Sequence, residues 1–309
     1  MTTESLPRTP AELGLPELPV EARPADPAVH HVRAKLDREI RALLAYEAGT
    51  RSGADPEDLH QMRVALRRMR SVLKLSGTLV GDGAEPVRAE LGWLGQSLGE
   101  VRDYDVLIGH LREVIADFEV RDQPAGRRLV SGFVTERAAA KRRLTKALSS
   151  TRYSTLLREV SLLTRSSAAV PDEPHDLVTG LAKPHRKLAK AVRALPADPP
   201  DVDLHALRIH GKKLRYAAEL AQTSAKKKRA KRIKKLIKAT RDFQTVLGDH
   251  QDAVLAAERM RTVLATADGE VGFVAGRIAE RELGRRAEAR ATWRVYWAAV
   301  DDAARALHA

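Results

Sequence analysis

The sequence predicts an all-α protein, and three observations lead there. Aromatic residues are 4% of the 309-residue chain and hydrophobic residues 43%, so Leu, Ala and Val carry the apolar content, and these tolerate helices better than they would supply a sheet core. From Val29 onward the apolar residues recur at helical spacing almost everywhere. The breaks are short and hold turn or capping residues: Asp55-Pro56, Gly81-Asp82-Gly83, Pro171 to Pro174 and Pro196 to Pro200. No alternating strand pattern competes.

Residues 1 to 27 contain Pro7, Pro10, Pro16, Pro19, Pro24 and Pro27 with no periodic apolar pattern. They are expected to be a disordered tail, extended, mobile and outside the fold. The helical region then runs from 28 to 309. The chain has no cysteine, which removes disulfides, thiolate metal sites and cysteine nucleophiles and fits a reducing cytoplasm. Met1 to Pro10 lack a positive start followed by an apolar run, and no stretch of about 20 apolar residues could cross a bilayer. Secretion and membrane spanning are both disfavoured.

A self-comparison divides the helical region into related halves, 28–170 and 171–309, through four collinear blocks. Lys35, Leu36, Ile40, Arg41, Ala42 and Leu43 match Lys187, Leu188, Val192, Arg193, Ala194 and Leu195. Asp58-Leu59-His60 with Arg63, Val64, Arg67, Arg68, Met69 and Arg70 matches Asp203-Leu204-His205 with Arg208, Ile209, Lys212, Lys213, Leu214 and Arg215. Leu98-Gly99 and Asp103 match Leu247-Gly248 and Asp252. Gly132-Phe133-Val134 and Arg137 match Gly272-Phe273-Val274 and Arg277. An internal duplication follows, with each half a four-helix-type bundle, the two related by a pseudo-twofold axis around a basic cleft or pore.

The net charge of +13 calls for a negative partner, and the placement of the cations says where it would bind. The helix starting at Asp55-Pro56 separates into two stripes when wound. Leu59, Met62, Leu66, Met69 and Leu73 form a buried seam, and His60, Arg63, Arg67, Arg70 and Lys74 form a cationic seam beside it. The duplicate repeats this, with Leu204, Leu207, Gly211 and Leu214 beside His205, Arg208, Lys212 and Arg215. Like charges one turn apart repel, and with no acidic residue expected at the i+4 positions an anion would relieve the strain. From His60 to Lys74 the stripe rises about 21 Å, which suits a long linear polyanion better than one small phosphate. His60 and His205 by themselves fit two readings, a packed structural histidine or a ligand contact.

Lys226, Lys227, Lys228, Arg229, Lys231, Arg232, Lys234, Lys235 and Lys238 form a second basic run, interleaved with Ile233, Leu236 and Ile237. It reads as amphipathic helix that could extend the anion track. The two Leu-Gly-acid segments, around Asp103 and Asp252, read as helix turns, Gly at a C-cap and Asp at the next N-cap or paired with a basic helix. Neither a metal site nor a cofactor is expected.

At the paired His60-to-Arg70 and His205-to-Arg215 segments, together with the two Leu-Gly-acid turns, the sequence resembles the CHAD family, the conserved histidine α-helical domain, over residues 28 to 309. The resemblance implies two helical bundles around a basic surface or pore that binds polyphosphate, and association of bacterial members with polyphosphate granules. Carried over by position, His60, Arg63, Arg67, Arg70, His205, Arg208, Lys212 and Arg215 would line the anion site, with Arg68 and Lys213 as neighbours. The second half has Lys212-Lys213 where members often have an Arg, and Gln251 where Asn is common. CHAD domains are often joined to a triphosphate-processing CYTH domain. No Glu-x-Glu-x-Lys strand pattern precedes the helices here, so that partner is not expected.

A non-catalytic polyphosphate binder is therefore the expectation. The alternative is a basic helical protein that binds nucleic acid, since backbone neutralisation does not distinguish phosphodiester from polyphosphate. Trp93, Trp293, Trp297, Phe133 and Phe273 do not interleave with the basic stripes, which argues against base stacking on single strands. A pure scaffold or helix-mediated interaction protein is third, and a polyphosphate-processing enzyme with His60 or His205 as acid or base is a lesser alternative.

Overall fold

In the computed structural model, which describes residues 9–165 and 176–307, the chain forms helices joined by short turns, with no strand among the described residues. The helices are α1 (Ala28–Ser52), α2 (Pro56–Ser76), α3 (Ala84–Ala116), α4 (Gln123–Leu148), α5 (Thr151–Arg165), α6 (Ala182–Arg193), α7 (Asp201–Ser224), α8 (Lys227–Leu264) and α9 (Gly269–Arg305). Three expected breaks fall between helices. α1 ends at Gly53, whose φ of 71° lets its N–H reach the Gly49 carbonyl. Asp55 then caps α2, its side chain accepting from the Glu57 N–H at 2.8 Å, with Pro56 in the first turn. Gly81, at φ 100°, turns the chain before α3, and Pro196 to Pro200 separate α6 from α7. The break expected at Pro171 to Pro174 lies outside the described residues.

The four matched blocks fall in order on α1 and α6, α2 and α7, α3 and α8, and α4 and α9. The compact units are nevertheless not the two sequence halves. One contains the described residues through Asp105, Glu136–Val178 and Thr223–Lys226; the other contains Val106–Thr135, Thr179–Gln222 and the chain from Lys227 on. A helix as long as α3 measures about 50 Å and outruns one small bundle, so α3 and α4 each contribute to both units. In the first unit α1 packs on α2 and α5, and in the second α8 lies along α9. The core is mostly aliphatic, with Val32, Leu36 and Ile40 of α1 and Met62, Leu66 and Met69 of α2 almost fully buried, and Tyr153, Phe243 and Trp293 are its largest fully buried side chains.

Residues 9 to 27 correct the expectation of a tail outside the fold. Leu13 and Leu15 are 4% and 5% exposed, and the Ser161 hydroxyl of α5 donates to the Leu13 carbonyl at 2.7 Å. Asp37 of α1 is fully buried; its Oδ2 accepts from the Val20 N–H at 2.9 Å and from Arg41 Nε at 2.8 Å. Arg41 in turn donates to the Pro16 carbonyl at 2.6 Å. Proline prevents this segment from becoming helix, but an extended chain is still bound in place when side chains satisfy its polar groups. Asp37→Ala takes the acceptor from both Arg41 Nε and the Val20 N–H, and is expected to lower stability by about 3 kcal/mol in urea denaturation. A loss below about 0.5 kcal/mol would mean the arm is not anchored here.

Candidate anion-binding site

Met62, Leu66 and Met69 turn one side of α2 into the core, and this fixes the direction of the cations beside them. His60, Arg63, Arg67 and Arg70 are all half-buried at the border of the core, as the stripe predicts, whereas Lys74 is exposed. On α7, His205, Arg208, Lys212 and Arg215 are half-buried in the same way, beside buried Leu204, Leu207, Gly211 and Leu214.

Arg63 and Arg70 on the cationic edge of α2 lie against α3, and there the Leu-Gly-acid reading needs correction. Gly99 and Asp103 lie inside α3, and Gly248 and Asp252 inside α8, so neither segment is a helix turn. Glycine serves close approach instead. A methyl group at Gly99 would sit 2.5 Å from Arg63 Nη1, and one at Gly92 would sit 3.4 Å from Arg70 Nη2. At Gly95 it would meet Leu66 at 3.1 Å and Arg70 Nη1 at 3.8 Å. Gly92, Gly95 and Gly99, spaced three and four residues apart, thus clear a trough along α3 in which two arginines of α2 lie. In the other half Arg208 lies beside Gly248 at a looser 3.5 Å.

The trough opens into a cleft of about 810 Å³. Arg63 donates to the Gly95 carbonyl at 3.4 Å and stands 3.9 Å from Asp103. Arg70 has no carboxylate partner among the described residues, and its buried Nε has no acceptor. Trp93 and Arg152 are among the lining residues that sequence reasoning missed. The Arg152 guanidinium stacks 4.1 Å over the Trp93 ring and is held by Glu90 at 2.6 and 2.9 Å. Only the Gly-x-x-Gly-x-x-x-Gly spacing in residues 92 to 99 pointed to this wall.

Not every expected site residue shares the cleft. Arg68 points to α1, where Glu39 lies 3.7 Å away, because it falls about a quarter turn or more off the stripe. Lys213 occupies the same off-stripe position on α7, beside His210. The expectation of no acidic i+4 neighbour also fails at Arg215, whose Nε is 3.6 Å from Glu219.

The two histidines have different surroundings. His205 Nδ1 is 2.7 Å from the Gln251 amide oxygen, so the departure at Gln251 supplies a partner. His60 is held below its ordinary pKa by burial first, then by Arg102, with Arg67 and Arg63 adding to the effect and Glu57 opposing it. The start of α7 is fixed separately. His250, 1% exposed, is 3.0 Å from Asp201, which also takes Arg286 and Arg290 of α9.

Among the described residues no group of His, Asp or Glu is arranged to hold a metal ion, and no helix is long and apolar enough to cross a membrane. Two uncharacterized proteins of Mycobacterium tuberculosis, from strains CDC 1551 / Oshkosh and H37Rv, are each 30% identical over 272 residues, covering 84% of this chain and 50% of the relative. The chain therefore spans about half the length of these curated relatives. Among solved structures, the CHAD domain from the plant Ricinus communis superposes with a TM-score of 0.68 at 25% identity, covering 94% of this chain and 95% of that one. PptA from Streptomyces chartreusis gives 0.69 at 20% identity, with coverage of 88% and 99%. The family model for the CHAD domain matches residues 34–261, and with the fold and the paired basic helices in agreement, this chain belongs to the CHAD family.

Proposed function

We propose that this chain binds inorganic polyphosphate without turning it over, seating it in the cleft between α2 and α3 and along the cationic edge of α2. The edge of α7 would be the duplicated version of the same device. The observation that carries the reading is Arg70, a cation in a glycine-cleared cleft whose buried Nε lacks an acceptor. A buried donor left unsatisfied costs about 1–3 kcal/mol, and a phosphate bound at the Arg70 guanidinium where it lines the cleft would offset that cost with charge-assisted bonds. Arg63 on the same wall would engage the next phosphates, and His60 and Arg67 continue the edge. Family membership adds the expectation of polyphosphate binding, and association with cytoplasmic polyphosphate granules follows from the same reading.

The test is titration of a polyphosphate of defined length at several salt concentrations, with inorganic phosphate assayed in parallel. Binding should weaken with salt by about 0.7–0.9 log units per log unit for each cation engaged, and no phosphate should appear. Phosphate release that vanishes in His60→Ala would replace this reading with a hydrolase.

The lowered pKa of His60 fixes the sign of a pH dependence. A polyanion beside Arg63 and Arg67 offsets two of the charges that oppose protonation, so the pKa rises on binding and a proton is taken up. Affinity should therefore increase as pH falls through the range around and below about 6.5, and His60→Gln should remove the increase. An affinity that stays flat between neutral and mildly acid pH would show that the ligand does not reach His60.

A further inference from the structure

The second basic run behaves differently from the stripes on α2 and α7. Wound on α8, Lys227, Lys228, Lys231, Lys234, Lys235 and Lys238 occupy about 120° of the circumference over a rise of about 16 Å. All six are exposed, while Ile233, Leu236 and Ile237 on the other side are buried. These cations lie opposite the core rather than beside it, on an outward-curving face. Of the six, only Lys238 has a carboxylate partner among the described residues, Asp242 at 2.9 Å.

The face also sits at the wrong end of its helix. The first turn of α8 has no acidic residue, so the positive end of the helix dipole adds to the lysines instead of offsetting them. The corresponding stretch of α3 contains Glu85, Arg88 and Glu90, so this density is no part of the repeated device. An anionic surface would relieve both sources of repulsion. The face lacks the means to enter a bilayer or stack on bases, since among the described residues no large apolar or aromatic side chain between 226 and 242 is exposed. A flexible single chain gains most from a concave cleft that surrounds it. An outward-curving helix face, about 10–12 Å across, instead matches a groove about 12 Å wide with phosphates along both walls.

We infer that the first turns of α8 form a second docking face, separable from the α2–α3 cleft, which takes the phosphate backbone of duplex nucleic acid without reading its sequence. The inference does not rest on the polyphosphate reading, because the two surfaces share no residue.

The test uses the full chain and three probes: a labelled DNA duplex of arbitrary sequence, a short polyphosphate, and phosphatidylserine-containing vesicles. Charge reversal at Lys228, Lys231 and Lys235 to Glu is expected to weaken duplex binding at least about tenfold and to flatten its salt dependence by about 0.9 log units per cation lost. Short-polyphosphate affinity should stay unchanged. Arg63→Ala with Arg70→Ala should do the reverse. The neutral set, Lys228→Gln, Lys231→Gln and Lys235→Gln, should shift duplex binding in the same direction by less, which guards against misfolding of the reversed variant. Duplex affinity indifferent to both sets would overturn the inference. So would binding confined to the vesicles, or equal loss of polyphosphate and duplex in the α8 variants.

Discussion

Replacing Arg63 and Arg70 together by Ala is expected to weaken binding of a short polyphosphate by about a hundredfold, with no loss of folding stability. Each arginine would contribute hydrogen bonds to charged oxygens worth about 1.5–3 kcal/mol, and about 1.4 kcal/mol is tenfold in affinity, so the low end of the range already gives a hundredfold. The stability side follows from what the two residues touch in the free protein. Arg70 has a buried Nε with no acceptor, so its truncation removes an unfavourable group along with its packing. Arg63 lies at the border of the core, with a long bond to the Gly95 carbonyl and Asp103 at 3.9 Å among its contacts, so its truncation opens no cavity in the apolar seam. A structural arginine would give the opposite result, with unfolding shifted and affinity unaffected. Arg70→Lys should fall between wild type and alanine, because lysine keeps the charge but cannot present a planar fork. Titration and urea denaturation on the same samples separate the cases.

What could be read from the sequence, and what could not, divides along the range of the forces involved. The seams of α2 and α7 were legible because helical winding alone decides that Met62 and Met69 share one side and Arg63 and Arg70 the neighbouring one. Asp55-Pro56 was legible because capping is local. The role of Gly99 was not, since Leu-Gly followed by an acid satisfies the local pattern of a helix end equally well. α3 runs on through it, and the glycine makes room for an arginine passing over it from another helix, a contact no window of sequence contains. The N-terminal arm failed for a related reason. Proline rules describe backbone conformation, and the burial of Leu13 and Leu15 comes with hydrogen bonds from the arm to α1 and α5, which are distant in sequence. Arg68 shows the limit of counting charges: it belongs to the same basic segment as Arg67, but one residue of rotation gives it to Glu39. The density at the start of α8 and its amphipathic winding were visible in the sequence, while which carboxylates lie within reach of its lysines depends on the fold, and only Asp242 beside Lys238 does so among the described residues.

The glycine trough permits a sharper test than removing a charge, because it separates where an arginine sits from whether it is present. Gly99→Ala keeps every cation and adds one methyl group 2.5 Å from the place now occupied by Arg63 Nη1. The guanidinium is the far end of a flexible side chain and can swing aside at little cost, while alanine inside α3 improves helix propensity by about 0.8–1 kcal/mol. The variant should therefore be as stable as wild type or more so, yet bind short polyphosphate about tenfold more weakly, the equivalent of about one charge-assisted hydrogen bond. Gly248→Ala is the matched control. There the nearest atoms of Arg208 lie at 3.5 Å, an ordinary contact, so the same gain in helix propensity should come with affinity within about twofold of wild type. If Gly99→Ala binds like Gly248→Ala, the position of Arg63 over α3 has no part in recognition, and the anion must be held elsewhere along the α2 edge. If Gly99→Ala instead destabilises the protein, the glycine is required by packing between α2 and α3, and the trough is a structural feature rather than a binding one.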